Sequence, residues 1–316
     1  MLTALSVAVP LLAACAASMP RPGLPPPSRL PEVSALIAAG SSPDHGDAKK
    51  PPLLYLAGPS NVEVYRVGRY ERPVREITDG IDNAKGTAVD SSGNLYVANN
   101  ALADETVQVY ALGASQPSRT YQGGIYGPIY DPSGIAVTRN GTLYVANACC
   151  AGSPWGNVVS VFPPDRTKAS EFLSLPGGFA PNYVAVDSQS NLFVSSADGG
   201  AVFEFSDGSS AGKGLNLKLA GSAGIAFDGA GHLVVADVDN KTINVYKLPA
   251  TKPIRQLILR DEPGSIAFTK NYSTLLVTGW SSGNLYSIAY ATGKVSSIQH
   301  LGSGFASVAL SPAAYP

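Results

Sequence analysis

One phrase recurs along this chain, and it limits the possible folds more than any other feature. Gly86-Thr-Ala-Val-Asp90 followed by Asn94-Leu-Tyr-Val-Ala-Asn99 returns as Gly134-Ile-Ala-Val-Thr138 with Leu143-Tyr-Val-Ala-Asn147, and again as Tyr183-Val-Ala-Val-Asp187 with Leu192-Phe-Val-Ser-Ser196. Two looser copies follow, Gly224-Ile-Ala-Phe-Asp228 with Leu233-Val-Val-Ala-Asp237 and Ser265-Ile-Ala-Phe-Thr269 with Leu275-Leu-Val-Thr-Gly279. Each copy reads as two short apolar strands joined by a turn. A third, alternating strand comes next, such as Val107-Gln-Val-Tyr110 or Ile243-Asn-Val-Tyr246, and then a more polar fourth, such as Pro253-Ile-Arg-Gln-Leu257. The anchoring alanines stand at 88, 136, 185, 226, 267 and 309, at intervals of 48, 49, 41, 41 and 42 residues. Four short strands at a period of about 40 to 50 residues are the pattern of propeller blades.

The two ends decide how many blades there are. The sixth alanine sits in an inner strand, Val308-Ala-Leu-Ser311, with no partner strands after it. Leu53-Leu-Tyr-Leu-Ala57, Val62-Glu-Val-Tyr65 and Pro73-Val-Arg-Glu-Ile77 are second, third and fourth strands with no first. Joined, they make one blade, which closes the ring and removes the open sheet edges that promote aggregation. The expectation is an all-β, six-bladed propeller over 53–316, with five continuous blades and one split between the termini. Leu53 to Ser311 is 259 residues, about 43 per blade.

Composition excludes several functions. Only 14% of the residues are charged and the formal net charge is -1, which argues against a nucleic-acid binder. The hydrophobic share of 45% is enough for a large core.

The consensus resembles NHL-type repeats, in which Pro-x-Gly-Ile-Ala-Val-Asp precedes Gly-Asn-Leu-Tyr-Val-Ala-Asp/Asn; Pro132-Ser-Gly-Ile-Ala-Val137 is the nearest copy. The same shape is found in the SMP-30/gluconolactonase-like lactonases and in lyases of the virginiamycin B type, so the resemblance implies architecture more than activity. For the lactonases it implies a Ca2+-like ion held at the top of the channel by one Glu, two Asn and an Asp. Here Asn182 and Glu262 at inner-strand starts, and Asn99, Asn147 and Asp237 at second-strand ends, offer an incomplete version of that set; Asn and Asp also end strands for backbone reasons.

Residues 1–14 read as a signal peptide. Leu12-Ala13-Ala14-Cys15 resembles a bacterial lipobox, which implies lipidation at Cys15; a cleaved secretory signal with an incidental Cys is the alternative. Residues 15–52 read as a Pro-rich tether, with nine prolines between Met19 and Pro52 that suit an extended spacer. The expected location is extracytoplasmic, lipid-anchored to a bacterial membrane on its periplasmic side or at the cell surface.

The top rim carries the longer loops and most of the candidate binding residues. Its aromatics include Tyr121, Tyr126, Tyr130, Trp155, Phe179, Tyr183 and Trp280, which either offer flat surface to a ligand or cap the core between blades. Cys149 and Cys150 are adjacent there, and form either a vicinal disulfide or two free or intermolecular thiols. The turns Asp90-Ser-Ser-Gly-Asn94, Asp187-Ser-Gln-Ser-Asn191 and Asp228-Gly-Ala-Gly-His232 read as backbone turns rather than calcium loops, with His232 exposed.

The expected function is therefore non-catalytic binding at the top face, by a monomer without a cofactor. The ligand would be a small molecule, a glycan or a protein, contacted by Tyr130, Trp155, Tyr183, Trp280, Asn99, Asn147, Asn182, Asp237 and Glu262. The alternative is a calcium-dependent lactonase or esterase, with Ca2+ bound.

Overall fold

The structure, a computed structural model, describes residues 52–101, 105–123, 129–148, 157–302, 304–311 and 313–314. Cys15, Cys149, Cys150, Tyr126 and Trp155 lie outside them. Residues 49–316 form one compact unit.

Among the described residues there are six four-stranded antiparallel sheets, each one blade. Blade I pairs the inner strand Ser307–Ser311 with Leu53–Ala57, and continues through Val62–Arg66 and Arg75–Ile77. The closing register sets Leu53 against Ser311, Tyr55 against Ala309 and Ala57 against Ser307. The inner strands of blades II to VI are Ala84–Val89, Pro132–Val137, Pro181–Val186, Ser222–Phe227 and Pro263–Phe268. The six-bladed ring with its split blade is therefore the fold of the chain.

The second strands are apolar along nearly their whole length because both of their faces are covered. Six core clusters occupy the six spaces between neighbouring blades. Tyr55 and Ala57 pack toward blade II, while Leu54 and Leu56 of the same strand pack toward blade VI. Successive side chains of a strand point to opposite faces, so a single five-residue strand contributes to two interfaces. The outer strands have one neighbour and one wet face, and Lys294–His300 alternates exposed and half-buried residues to its end.

The repeated Gly at the first position of the phrase is required by close approach between blades. A Cβ on Gly86 would lie 2.2 Å from the Ser133 carbonyl oxygen of blade III, and one on Gly134 would lie 2.5 Å from the Asn182 carbonyl oxygen of blade IV. Hydroxyls bind the same contacts together. Thr87 Oγ1 and Ser307 Oγ share a hydrogen bond of 2.8 Å between blades II and I, Ser133 donates to the Asn182 carbonyl (2.7 Å), and Ser195 donates to the Ala223 carbonyl (2.8 Å).

Candidate functional site

The third position of the phrase, the alanine, faces the axis. All six alanines, from Ala88 to Ala309, line a cavity of about 410 Å3 in the lower half of the channel, with Thr138, Arg139, Asn140 and Asp187 at its mouth. A small side chain from each blade keeps this half of the channel wide.

The lower turns around that mouth are closed on themselves. Asp90 Oδ1 accepts the N–H groups of Ser92 and Asn94, both at 2.9 Å, and Asp187 Oδ1 accepts those of Gln189 and Asn191. Asp228 Oδ1 accepts those of Ala230 and His232. These are Asx turns, as the sequence suggests. His232 differs from its expectation of simple exposure. It is half-buried, with Nδ1 3.0 Å from Asp228 Oδ2, an oxygen that also accepts the Tyr290 hydroxyl at 2.9 Å. Burial pushes the Asp228 carboxyl up, but the His232 backbone and side chain, the Tyr290 hydroxyl and the Ala230 N–H outweigh it and hold the group below its ordinary range.

One residue breaks the rule at the first position. Where the other blades carry Gly86, Gly134, Gly224, Ser265 and Ser307, blade IV carries Tyr183. Its hydroxyl donates to the Ala306 carbonyl at 3.0 Å, and Ala306 leads into the inner strand of blade I. Blades IV and I are three places apart in a ring of six, so the phenol reaches across the channel to the opposite wall. Burial raises its pKa well above the ordinary tyrosine range.

Above this crossbar lies a second cavity, of about 200 Å3, lined by Lys85, Ser133, Asn182, Tyr183, Trp280, Gly304, Phe305 and Ala306. Lys85 and Asn182 come from inner-strand starts, Trp280 from the loop after the second strand of blade VI, and Phe305 from the segment before the last strand. All belong to the loop sets that meet on the upper rim. Trp280 is 54% exposed, a large apolar ring in water at the edge of the pocket. Its backbone N–H donates to the Glu262 carbonyl, which fixes the loop without using the indole.

Three expected ligand residues are placed elsewhere. Asn147 is fully buried; its Oδ1 accepts the Tyr130 N–H and its Nδ2 donates to Ser160 Oγ. Asn99 Oδ1 accepts the Asp82 N–H, while its Nδ2 donates to the Gly80 carbonyl. Asp237 accepts the N–H groups of Ala220, Gly221 and Asn240. In each case the side chain at a second-strand end holds the loop 17 residues earlier, and none of the three lines either central cavity. Glu262 and Tyr130 are half-buried and also stay outside both linings. The structure thus brings Asn182, Tyr183 and Trp280 together and leaves the other described candidates apart. It adds Lys85 and Phe305, which the sequence reading passed over as binding residues. The signal for Tyr183 was in the repeat alignment, as the one bulky residue in a Gly or Ser column.

The aromatics divide in the same way. Tyr121 is core, edge-on to Phe162 with ring centres 5.2 Å apart, and Phe179 packs on Phe203 at 5.4 Å. Both cap the space between blades, while Tyr183 and Trp280 border the upper pocket.

The oxygen set implied for a calcium ion does not fit this geometry. The amide oxygens of Asn99 and Asn147 and the carboxylate of Asp237 are buried against backbone donors, which leaves Asn182 as the one member of the set on the pocket wall. A hard cation needs several oxygens converging on a single point.

The chain matches no protein-family model and no curated protein. Solved structures share its fold. A structure described as a nidogen/laminin complex aligns at 17% identity and TM-score 0.67, covering 82% of this chain and 98% of that one. A protein of unknown function from Bacteroides caccae aligns at 13% identity and TM-score 0.64, covering 83% and 99%. Streptogramin B lyase aligns at 11% and 0.55, covering 79% and 74%.

Proposed function

We propose that this chain is a non-catalytic binding propeller that takes a small organic ligand in the upper pocket of its channel. The observation that carries this reading is the division of the channel by Tyr183. It turns an open bore into a shallow pocket with a floor, an aromatic rim at Trp280 and Phe305, and polar side chains at Lys85 and Asn182. In keeping with its N-terminal sequence, we place the protein outside the cytoplasm on a lipid anchor at Cys15; a Cys15→Ala chain that keeps the wild-type mass shift and membrane association removes that placement.

Ligand-observed NMR with a collection of ring-bearing fragments tests the pocket. A subset is expected to bind the wild type and to lose binding to Trp280→Ala. Hits that bind both proteins equally, or no hits at all, overturn the reading.

A protein partner on the same rim is the second reading, favoured by the exposure of Trp280 and by the shared fold with a chain from a structure described as a nidogen/laminin complex. Under that reading Trp280→Ala abolishes capture of a partner while fragments fail to bind.

A further inference from the structure

The small-molecule reading leaves open what chemistry the pocket selects, and two of its wall residues address that. The only ion pairs among the described residues are Arg119 with Asp165 and His232 with Asp228, so Lys85 has no carboxylate within 4 Å there. It is half-buried rather than fully solvated. Asp261, on the blade VI loop, already accepts hydrogen bonds from Ser282, Asn284 and Tyr286, and Glu262 beside it does not line the pocket. The Asn182 side-chain amide likewise has no hydrogen bond to a described residue, although the carbonyl of the same residue accepts the Ser133 hydroxyl. One cation and one amide thus face the same space of about 200 Å3 with no hydrogen bond from either side chain to a described residue. Among the described residues, the rest of that wall is Tyr183, Trp280, Phe305 and the small residues Ser133, Gly304 and Ala306.

We propose that the upper pocket selects a short, flat carboxylate, a single aryl or heteroaryl ring bearing one acid group. Lys85 and Asn182 take the carboxylate, Trp280 and Phe305 take the ring, and Tyr183 sets the length. This rests on the small-molecule reading above. A single negative charge matches a single ammonium; a phosphate dianion is served better by several donors or a guanidinium fork. The volume is below the roughly 300 to 1,000 Å3 of sites for drug-sized ligands, which limits the occupant to about one ring and its acid. Tyr183 is a specificity-determining residue in this scheme. A glycine there, as in blades II, III and V, removes the phenol that separates the pocket from the cavity of about 410 Å3 below.

The test is calorimetric titration of the full chain with benzoate, benzamide and 4-biphenylcarboxylate. Wild type is expected to bind benzoate at least about tenfold tighter than benzamide, the scale of one hydrogen bond to a charged group. Lys85→Met is expected to erase that preference and Lys85→Arg to keep most of it. Wild type should exclude 4-biphenylcarboxylate, and Tyr183→Gly should admit it, with circular dichroism confirming the fold. Tyr183→Phe keeps the floor and should still exclude it, which holds the length claim open to test even if the Gly variant fails to fold.

Equal binding of benzoate and benzamide, both lost in Trp280→Ala, overturns the carboxylate proposal and leaves the pocket reading standing. Binding unaffected by Trp280→Ala overturns both. Failure of every probe, with other ring-bearing fragments still bound in a Trp280-dependent way, overturns the carboxylate class alone. Admission of the biphenyl acid by wild type overturns the role of Tyr183.

Discussion

Two sets of polar residues surround the same axis on the same rim, and they do opposite things. Asn99, Asn147 and Asp237, at second-strand ends, are buried and spend their oxygens on loop N–H groups. Lys85 and Asn182, one strand nearer the axis, line the upper pocket with no such partners among the described residues. The first set repeats in kind, an Asn or Asp closing the second strand of blades II, III and V. The second set also shares one position, directly before the phrase, but the residue type there changes from blade to blade, through Lys85, Ser133, Asn182, Ala223, Gly264 and Ala306, just as Tyr183 departs from a column of Gly and Ser. A polar residue that recurs with the repeat is therefore doing a task each blade needs, closing its own loop, whereas a residue that departs from the repeat marks the place where this molecule differs from a generic propeller.

The comparison can be broken most forcefully at the glycine column. Gly134→Val puts a branched side chain where even a Cβ lies 2.5 Å from the backbone of blade IV, so a loss of about 3 kcal/mol or more is expected by urea denaturation. A neutral result there would mean that the blades do not approach as closely as described.

Asp237→Ala is expected to cost about 2 to 3 kcal/mol, because it leaves several loop N–H groups without their acceptor, and to change benzoate binding by less than about threefold once folded. A selective loss of binding without loss of stability would move Asp237 into the site.

The lower rim offers a pH test. The Asp228 carboxyl is held below its ordinary 3.8, so its contribution to stability is complete above that value and disappears as pH falls through the lowered folded pKa. Wild type should lose stability more steeply than Asp228→Asn below about pH 4 in chemical denaturation. Parallel acid limbs would remove the Asp228, His232 and Tyr290 cluster from the account.

The smallest effect is expected at Lys85. Lys85→Met should change stability by no more than about 0.5 kcal/mol, since no described ion pair is lost. A much larger loss would make Lys85 a structural residue like Asn147.

Much of the architecture was legible because its causes are local and periodic. The alanine spacing gave the blade count, and the unmatched strands at the two ends gave the closure that sets Tyr55 against Ala309. The candidate site was legible only in part. Asn182, Tyr183 and Trp280 come together on one pocket wall, whereas Asn99, Asn147 and Asp237 hold loops, and a polar side chain that holds a loop looks like one that faces a cavity in one dimension. Lys85 carries no signal of its own in the sequence, since which acidic side chains come near it depends on five other blades.

What the sequence determined by itself is the ring: short apolar strands with period-two alternation, glycines where backbones meet, and Asx turns that need no partner beyond four residues away. What only the tertiary structure decided is the channel's interior. Whether a tyrosine at 183 caps a core or bars a bore depends on which carbonyl faces it, and that carbonyl belongs to Ala306, 123 residues later and on the opposite side of the ring. Strand pattern is fixed by neighbours along the chain, but a site on the axis is made of one residue from each of several blades, brought together only when the ring closes.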